Sequence, residues 1–491
     1  MLGISKPDTT SSSTALKLIA LFAALRLLVA YFFPATIDEA YAIVVSRQIS
    51  LSYFDHPPLG FNIAQFMAWI TGSEHIWIIR LPFIAMGSAS AWMVYLITQT
   101  IYDKKAAYWA LCWFLVAPYF FISAGHFVVP DGPLNLALLL SFYCLMPALR
   151  SEAGERGLRS WIGFGIFLAV ALTAKYQAVL FGVSVFCFLI STHQGRNMLR
   201  TPAPWIAAAI AAVGLLPMLI WNANNEFVSL QFQSSRATNA GGPGLLNFLT
   251  ILLGQMIYIL PIPWLVALLM TKRSLFGNAT PTENALAWIA AIPIVLFLLL
   301  SFLSTGSLPH WAMAGFLFTY PFIGKWCADN LVRFPRAMPL TLNLSALGIT
   351  LVAIIVALQA QFSWIRGADL GWPLSPWAVL QDNKQFLQGE DTIYTTNWKK
   401  GAKIGHALGP DVTIIPLEDP RHFQYTVGNK KAALVIEKIS HINTENELQA
   451  LLKNLERIGL TIRGEPSVIY EQSGDRKLFG IARVEVSKTP D

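Results

Sequence analysis

WIGFGIFLAVALTAKYQAVLFGVSVFCFLI, residues Trp161–Ile190, is a run of about thirty residues whose single charge, Lys175, stands near its middle. One membrane-crossing helix needs about twenty residues and two need about forty, so length leaves this run between one crossing and two. Its flanks decide. The loops Arg150–Arg159 and Arg196–Arg200 are both basic, and Lys and Arg are held on the cytoplasmic side, so an even number of crossings must separate them. The run is therefore read as a tight hairpin of two short helices with Lys175-Tyr176 at its tip. Arms this short require burial among neighbouring helices or an aqueous cavity beside them.

The rest of the chain extends that reading. Its 491 residues are 55% hydrophobic and 13% charged, with a mean hydropathy of +0.51. That is too apolar for a soluble enzyme and defines a polytopic α-helical membrane protein. Apolar runs fall at 15–34, 76–100, 106–122, 132–149, 160–174, 177–190, 203–221, 245–270, 286–304, 311–327 and 339–361, which makes about eleven transmembrane helices. Lys104-Lys105, Lys272-Arg273 and the stretch from Lys325 to Arg336 join the basic loops on one side. The N-terminus is then cytoplasmic, and an odd number of crossings sends the C-terminal region outside. The first run, Ala15–Phe33, is long, holds Arg26 and lacks a small-x-small cleavage site, so it reads as a retained anchor rather than a signal peptide.

Near residue 362 the long apolar runs end. The chain divides into a transmembrane domain, 1–361, and a soluble extracytoplasmic α/β domain, 362–491. Thr392–Thr395, Val412–Pro416, Ala432–Ile436 and Phe479–Val486 read as strands, and Glu445–Ile458 as a helix. From Phe362 onward 16 basic residues balance 16 acidic ones, so the net charge of +7 arises in the membrane part. It reports topology, not a nucleic-acid partner. The four cysteines lie in or beside apolar runs and outline neither a disulfide framework nor a zinc site.

The unusual polar residues of the membrane part collect on the outer side. Loop one carries Asp38, Glu39, Arg47, Asp55 and His56, the last in a His-Pro-Pro-Leu turn; loop two carries His126 and Asp131 in HFVVPDGP. Lys175 follows at the hairpin tip, then the loop Asn222 to Arg236, then His310-Trp311. Carboxylates at a lipid–water boundary are costly to desolvate and mark function. Set beside Lys, Arg and His, they suit transfer of a group from a phosphate-linked donor. A carboxylate takes the proton of an attacking hydroxyl, and cations stabilise charge on the departing phosphate.

In their order and sidedness, Asp38-Glu39 after the first helix, the His56-Pro-Pro-Leu turn, Pro130-Asp131-Gly-Pro, Lys175-Tyr176 and Pro309-His310-Trp311 resemble the GT-C membrane glycosyltransferases. Within them the resemblance is to the family of protein O-mannosyltransferases, lipid A aminoarabinose transferases and Rgt-type lipopolysaccharide sugar transferases. It implies a polyprenyl-phosphate sugar donor, inversion at the anomeric carbon, and a lipid, glycan or protein acceptor met on the periplasmic face of a bacterial inner membrane. It also implies catalysis by the first acidic pair, with Asp38 as base and Glu39 as its partner. Asp131 then positions substrate hydroxyls, and His56, Lys175, Arg236 and His310 bind substrate or its phosphate.

The chain departs from the aminoarabinose transferase pattern at the Pro-Pro-Leu turn, where that group has Lys and this sequence has His56. A histidine is cationic only when its surroundings raise its pKa, so the departure leaves the sugar open. No cofactor is required by this chemistry. A divalent metal is conceivable among His56, His126, His310 and the carboxylates, though no close ligand spacing supports one. The competing class is a transporter or flippase of lipid-linked sugars. Transporters commonly show repeated halves and polar groups at mid-membrane, whereas this chain has no evident repeat and gathers its carboxylates at one face.

Overall fold

The computed structural model describes residues 11–150, 155–238, 244–303, 306–362, 380, 383–423, 432–440, 443–473 and 476–488. These fall into two compact units. One is built from Met1–Leu28, Asp55–Gly60 and Arg80–Ala353, the other from Val29–Phe54, Phe61–Ile79 and Ile354–Asp491.

The first unit is helical. Across the described residues, Ser12–Phe32, Ile76–Ile101, Asp131–Arg150, Gly157–Ala174, Pro281–Leu303 and Ala337–Leu358 are each long and apolar enough to cross a membrane. Three bent helix pairs follow; two fall on the expected runs 203–221 and 245–270, and in the third the helix of the run 177–190 is joined to a short helix in the stretch expected as a basic loop. Ala178–Ser191 turns into His193–Leu199 at 110°, Ala203–Val213 into Leu216–Asn224 at 42°, and Leu245–Ile259 into Pro261–Phe276 at 103°. The described residues thus hold six candidate spans, or up to nine if each bent pair crosses once.

The expected runs 106–122 and 311–327 are interrupted rather than continuous. Lys104–Val116 stops short of Pro118, and a π-turn, Tyr119–Ser123, follows it. The second is assembled from the short pieces Pro309–Ala312, Met313–Phe316, Leu317–Thr319 and Tyr320–Asn330, with prolines at 309 and 321. Proline lacks the backbone donor that a continuous helix needs. The run around Lys175 is two helices, Glu155–Ala174 and Ala178–Ser191, as its flanking charges require.

Helices surrounded by lipid gain little from hydrophobic burial against one another, so they associate through small residues and hydrogen bonds. Gly165 shows this: a β-carbon there would stand 2.6 Å from the Ala207 carbonyl oxygen, so Gly157–Ala174 and Ala203–Val213 pack backbone to backbone. Arg26, fully buried in the first helix, supplies the polar counterpart. Its Nε donates to the Phe121 carbonyl and its Nη2 to the Phe120 carbonyl, both at 3.2 Å. Both acceptors lie in the π-turn, where irregular helix leaves carbonyls in need of donors.

The second unit carries a five-stranded mixed sheet ordered β2-β1-β3-β5-β4. Its strands are β1 (Thr392–Thr395), β2 (Thr413–Pro416), β3 (Leu434–Ser440), β4 (Leu460–Ser473) and β5 (Arg476–Lys488). β1 runs parallel to β2 and β3, and β5 runs antiparallel to β3 and β4. Four strands fall where the sequence places them. The fifth, β4, was not expected, because Gly464 and Pro466 interrupt its apolar pattern. It is an edge strand whose register shifts between Arg463 and Ser467, and an edge with a bulge is where a sheet tolerates proline. Thr444–Arg457 is helical, within one residue of the expected Glu445–Ile458.

This unit also contains the helix Ile37–Ser46, which packs on Trp398–Leu408. Arg47 holds the segments together: its guanidinium makes two bonds to Glu74, at 2.9 and 2.7 Å, and donates to the carbonyls of Gly405 and Val412. Tyr41 joins an aromatic cluster with Phe61, Trp398 and Phe423, and its hydroxyl donates to the His422 carbonyl.

Candidate active site

The acidic pair lies at the first turn of Ile37–Ser46. Thr36 is the N-cap: the Glu39 amide donates to Thr36 Oγ1 at 3.2 Å, and the Glu39 carboxylate accepts from the Thr36 amide at 2.9 Å. This reciprocal capping box satisfies two amides that a helix start leaves without partners. It also divides the pair. Glu39 is fully buried and serves the helix, while Asp38, one position earlier, is exposed. A carboxylate in the first turn is stabilised as the anion by the positive end of the helix dipole.

The helical unit contains a second polar centre. Asp131 opens the helix Asp131–Arg150, and Lys175 occupies the break between Glu155–Ala174 and Ala178–Ser191. The Lys175 ammonium donates to both Asp131 oxygens, at 2.9 and 3.0 Å. Tyr119 in the π-turn donates its hydroxyl to Asp131 Oδ1 at 2.6 Å. Removed from water, either charge alone would be costly, and pairing with an added hydrogen bond offsets that cost. The His310 imidazole lies within electrostatic reach of the same carboxylate. Tyr258 stacks on Tyr119 with ring centroids 5.6 Å apart.

The bend after Leu245–Ile259 shapes the end of the helix that carries Tyr258. Leu260 takes φ 73° and ψ 145° immediately before Pro261, a conformation that side chains other than glycine adopt at a cost of about 1–3 kcal/mol. The adjoining Ile259 is fully buried, which holds the bend in place.

The remaining expected residues separate by position. His56 Nε2 is 3.7 Å from the neighbouring Asp55 carboxylate, and the Asp55 carbonyl accepts from the Gln233 amide in Val228–Thr238. His126 is buried, with Nδ1 3.1 Å from the Ile122 carbonyl. Arg47 is occupied within the sheet-bearing unit, as described above. The Arg236 side chain lies outside the described residues. Among the described residues, no three His, Cys, Asp or Glu side chains are grouped so as to hold a metal ion.

Sequence reasoning brought out Asp131, Lys175 and His310 but missed Tyr119 and Tyr258. The available signal was proline: Pro118 and Pro261 interrupt apolar runs, and irregular backbone inside a membrane is tolerated where it is buried in protein or lines a cavity.

Residues 55–221 match the family model described as dolichyl-phosphate-mannose-protein mannosyltransferase. Over 321 residues the chain is 25% identical to the lipid A galacturonosyltransferase RgtD of Rhizobium johnstonii, covering 63% of this chain and 64% of that protein. Over 298 residues it is 21% identical to an undecaprenyl phosphate-alpha-4-amino-4-deoxy-L-arabinose arabinosyl transferase of Proteus mirabilis, covering 54% and 52%. The chain thus spans between half and two thirds of the length of these curated relatives. Its fold matches the crystal structure of ArnT from Cupriavidus metallidurans bound to undecaprenyl phosphate, with a TM-score of 0.67, 14% identity, and coverage of 97% of this chain and 98% of that one. The archaeal oligosaccharyltransferase AglB from Archaeoglobus fulgidus matches with a TM-score of 0.54 and 12% identity over 88% of this chain and 70% of that one. By sequence over residues 55–221 and by fold over almost its whole length, the protein is similar to the GT-C membrane glycosyltransferases.

Proposed function

We propose that this protein is an inverting glycosyltransferase of a bacterial inner membrane that moves a sugar from a polyprenyl-phosphate donor to an envelope acceptor on the periplasmic face. A glycolipid of the lipid A class is the acceptor named for its relative RgtD. The observation that carries the reading is the Asp131–Lys175–Tyr119 cluster, a carboxylate, an ammonium and a phenol joined by hydrogen bonds and buried in the helical unit. Ionisable groups buried among membrane-spanning helices point to function, and transfer from a phosphate-linked donor uses such charge.

In this mechanism Asp38 accepts the proton of the acceptor hydroxyl as that oxygen attacks the anomeric carbon. The bond from that carbon to the phosphate oxygen breaks, and polyprenyl phosphate leaves with the electron pair. A phosphate ester leaves readily, so no general acid is needed. Glu39 keeps Asp38 in place by fixing the first helical turn. Lys175, oriented by Asp131, supplies positive charge toward the phosphate, and His56 and His310 are assigned to binding substrate beside it. The Arg236 guanidinium is assigned to the same phosphate.

Purified full-length protein is incubated with lipid A and undecaprenyl phosphate carrying galacturonate, 4-amino-4-deoxyarabinose or mannose, and released undecaprenyl phosphate is measured. Wild type should release it and glycosylate the acceptor, and Asp38→Asn should slow the reaction roughly a hundredfold or more. Undiminished transfer by the variant would remove Asp38 as the base. Movement of donor lipid across a vesicle membrane with no undecaprenyl phosphate released would identify a flippase instead.

A further inference from the structure

Gln255 is fully buried in the helix Leu245–Ile259, and neither its amide nitrogen nor its amide oxygen has a hydrogen-bond partner among the described residues. Buried polar atoms are retained without partners only rarely, and away from water they are costly. Its surroundings are specific. The adjacent Gly254 lies so close to Pro309 that a β-carbon there would be 2.5 Å from Pro309 Cγ. Three residues beyond Gln255, Tyr258 stacks on Tyr119, which donates to Asp131. Residues three apart share a helix face, so Gln255 and Tyr258 belong to one face. A second orphan stands nearby in the chain: Ser307, two residues before Pro309, is buried with its hydroxyl oxygen lacking a partner among the described residues.

We infer that Gln255, with Ser307, binds hydroxyl groups of the sugar handled at this site. The chemistry of the orphaned atoms selects the ligand. The amide presents one unused acceptor and one unused set of donors, and the serine hydroxyl can act either way. A phosphate diester offers only acceptors and would leave the Gln255 oxygen without a partner. Neighbouring sugar hydroxyls both donate and accept, and satisfy both ends of the amide together. Gln255 is thereby a specificity-determining residue, and this assignment rests on the transferase reading above.

The test uses full-length protein in detergent with two probes, undecaprenyl phosphate and the same lipid carrying the sugar that wild type transfers. Gln255→Met should bind undecaprenyl phosphate like wild type and bind the glycosylated lipid roughly tenfold or more weakly. Its thermal midpoint should hold or rise, because an unpaired buried amide has been replaced by an apolar side chain of similar size. A raised KM for lipid A with unchanged donor affinity supports the same chemistry and assigns the hydroxyls to the acceptor's sugar. Unchanged donor affinity together with unchanged acceptor KM overturns the inference. Parallel loss of both lipids with a lowered thermal midpoint marks a structural role and overturns it too. Wild-type protein that binds neither lipid would overturn the transferase reading along with it, whereas a variant equal to an active wild type overturns this inference alone.

Discussion

The Lys175 ammonium lies 2.9 and 3.0 Å from the two carboxylate oxygens of Asp131, and each side chain is only 10% exposed. Breaking a buried pair from one side leaves the other charge without compensation, at about 3–5 kcal/mol. Lys175→Met and Asp131→Leu should each lower the thermal midpoint markedly in detergent, while the double variant recovers much of the loss. Double-variant stability no better than the worse single would show that the two residues are not coupled. Both singles and the double should lack transfer activity, which separates the fold's use of the pair from the reaction's.

Thr36 and Glu39 form the capping box, whereas Asp38 is the proposed base, so the three should respond differently. Thr36→Ala removes a capping oxygen and should cost about 1 kcal/mol, with a modest loss of activity. Asp38→Asn should cost little more stability than Thr36→Ala and nearly abolish turnover at saturating substrate. Unfolding curves and kcat measured on the same preparations test this division, and a large stability loss in Asp38→Asn would contradict it.

Arg26 should be a stability residue despite its charge. Arg26→Met deprives the Phe120 and Phe121 carbonyls of their donor, and each buried acceptor left without a partner costs about 1–3 kcal/mol. A clear drop in thermal midpoint is expected, accompanied by altered protection of amides near the π-turn in hydrogen exchange. A midpoint equal to wild type would mean that other donors replace the guanidinium.

His406 makes the sheet-bearing unit sensitive to acid. Burial holds its imidazole down to about 4, with the nearby Lys403 and Arg47 charges acting in the same direction against its contact with the Glu74 carbonyl. The unfolded chain takes up this proton near pH 6.5 and the folded chain only near 4, so stability is complete above 6.5 and is lost as pH falls toward 4. The loss is at most about 3 kcal/mol. His406→Gln should flatten that part of the profile of unfolding against pH, and an unchanged slope would assign the acid sensitivity to other groups.

Much of the helical organisation was legible because membrane insertion depends on properties local to the chain. The run Trp161–Ile190 resolves into two helices from its length and flanking charges alone, and the break falls at Lys175. Strands β1, β2, β3 and β5 are legible for a related reason, since short apolar stretches between charged ones have nowhere else to go. β4 was not, because its place as a bulged edge depends on β5 pairing beside it. Thr36-Ile37-Asp38-Glu39 spells a capping box within four residues, and a reading centred on charge passes over it.

What the sequence by itself made legible was the kind of chain this is: apolar helices long enough to cross a membrane and the strands of a small sheet, with carboxylates, Lys175 and His310 as its exceptional polar residues. Hydropathy and charge act residue by residue against the bilayer, so they need no knowledge of contacts. Tertiary structure alone decided which charges meet. Asp131 and Lys175 are 44 positions apart, Tyr119 reaches Asp131 from a π-turn, and Gln255 is buried without a partner among the described residues. Those outcomes depend on helix packing at the scale of an ångström, which no local pattern encodes.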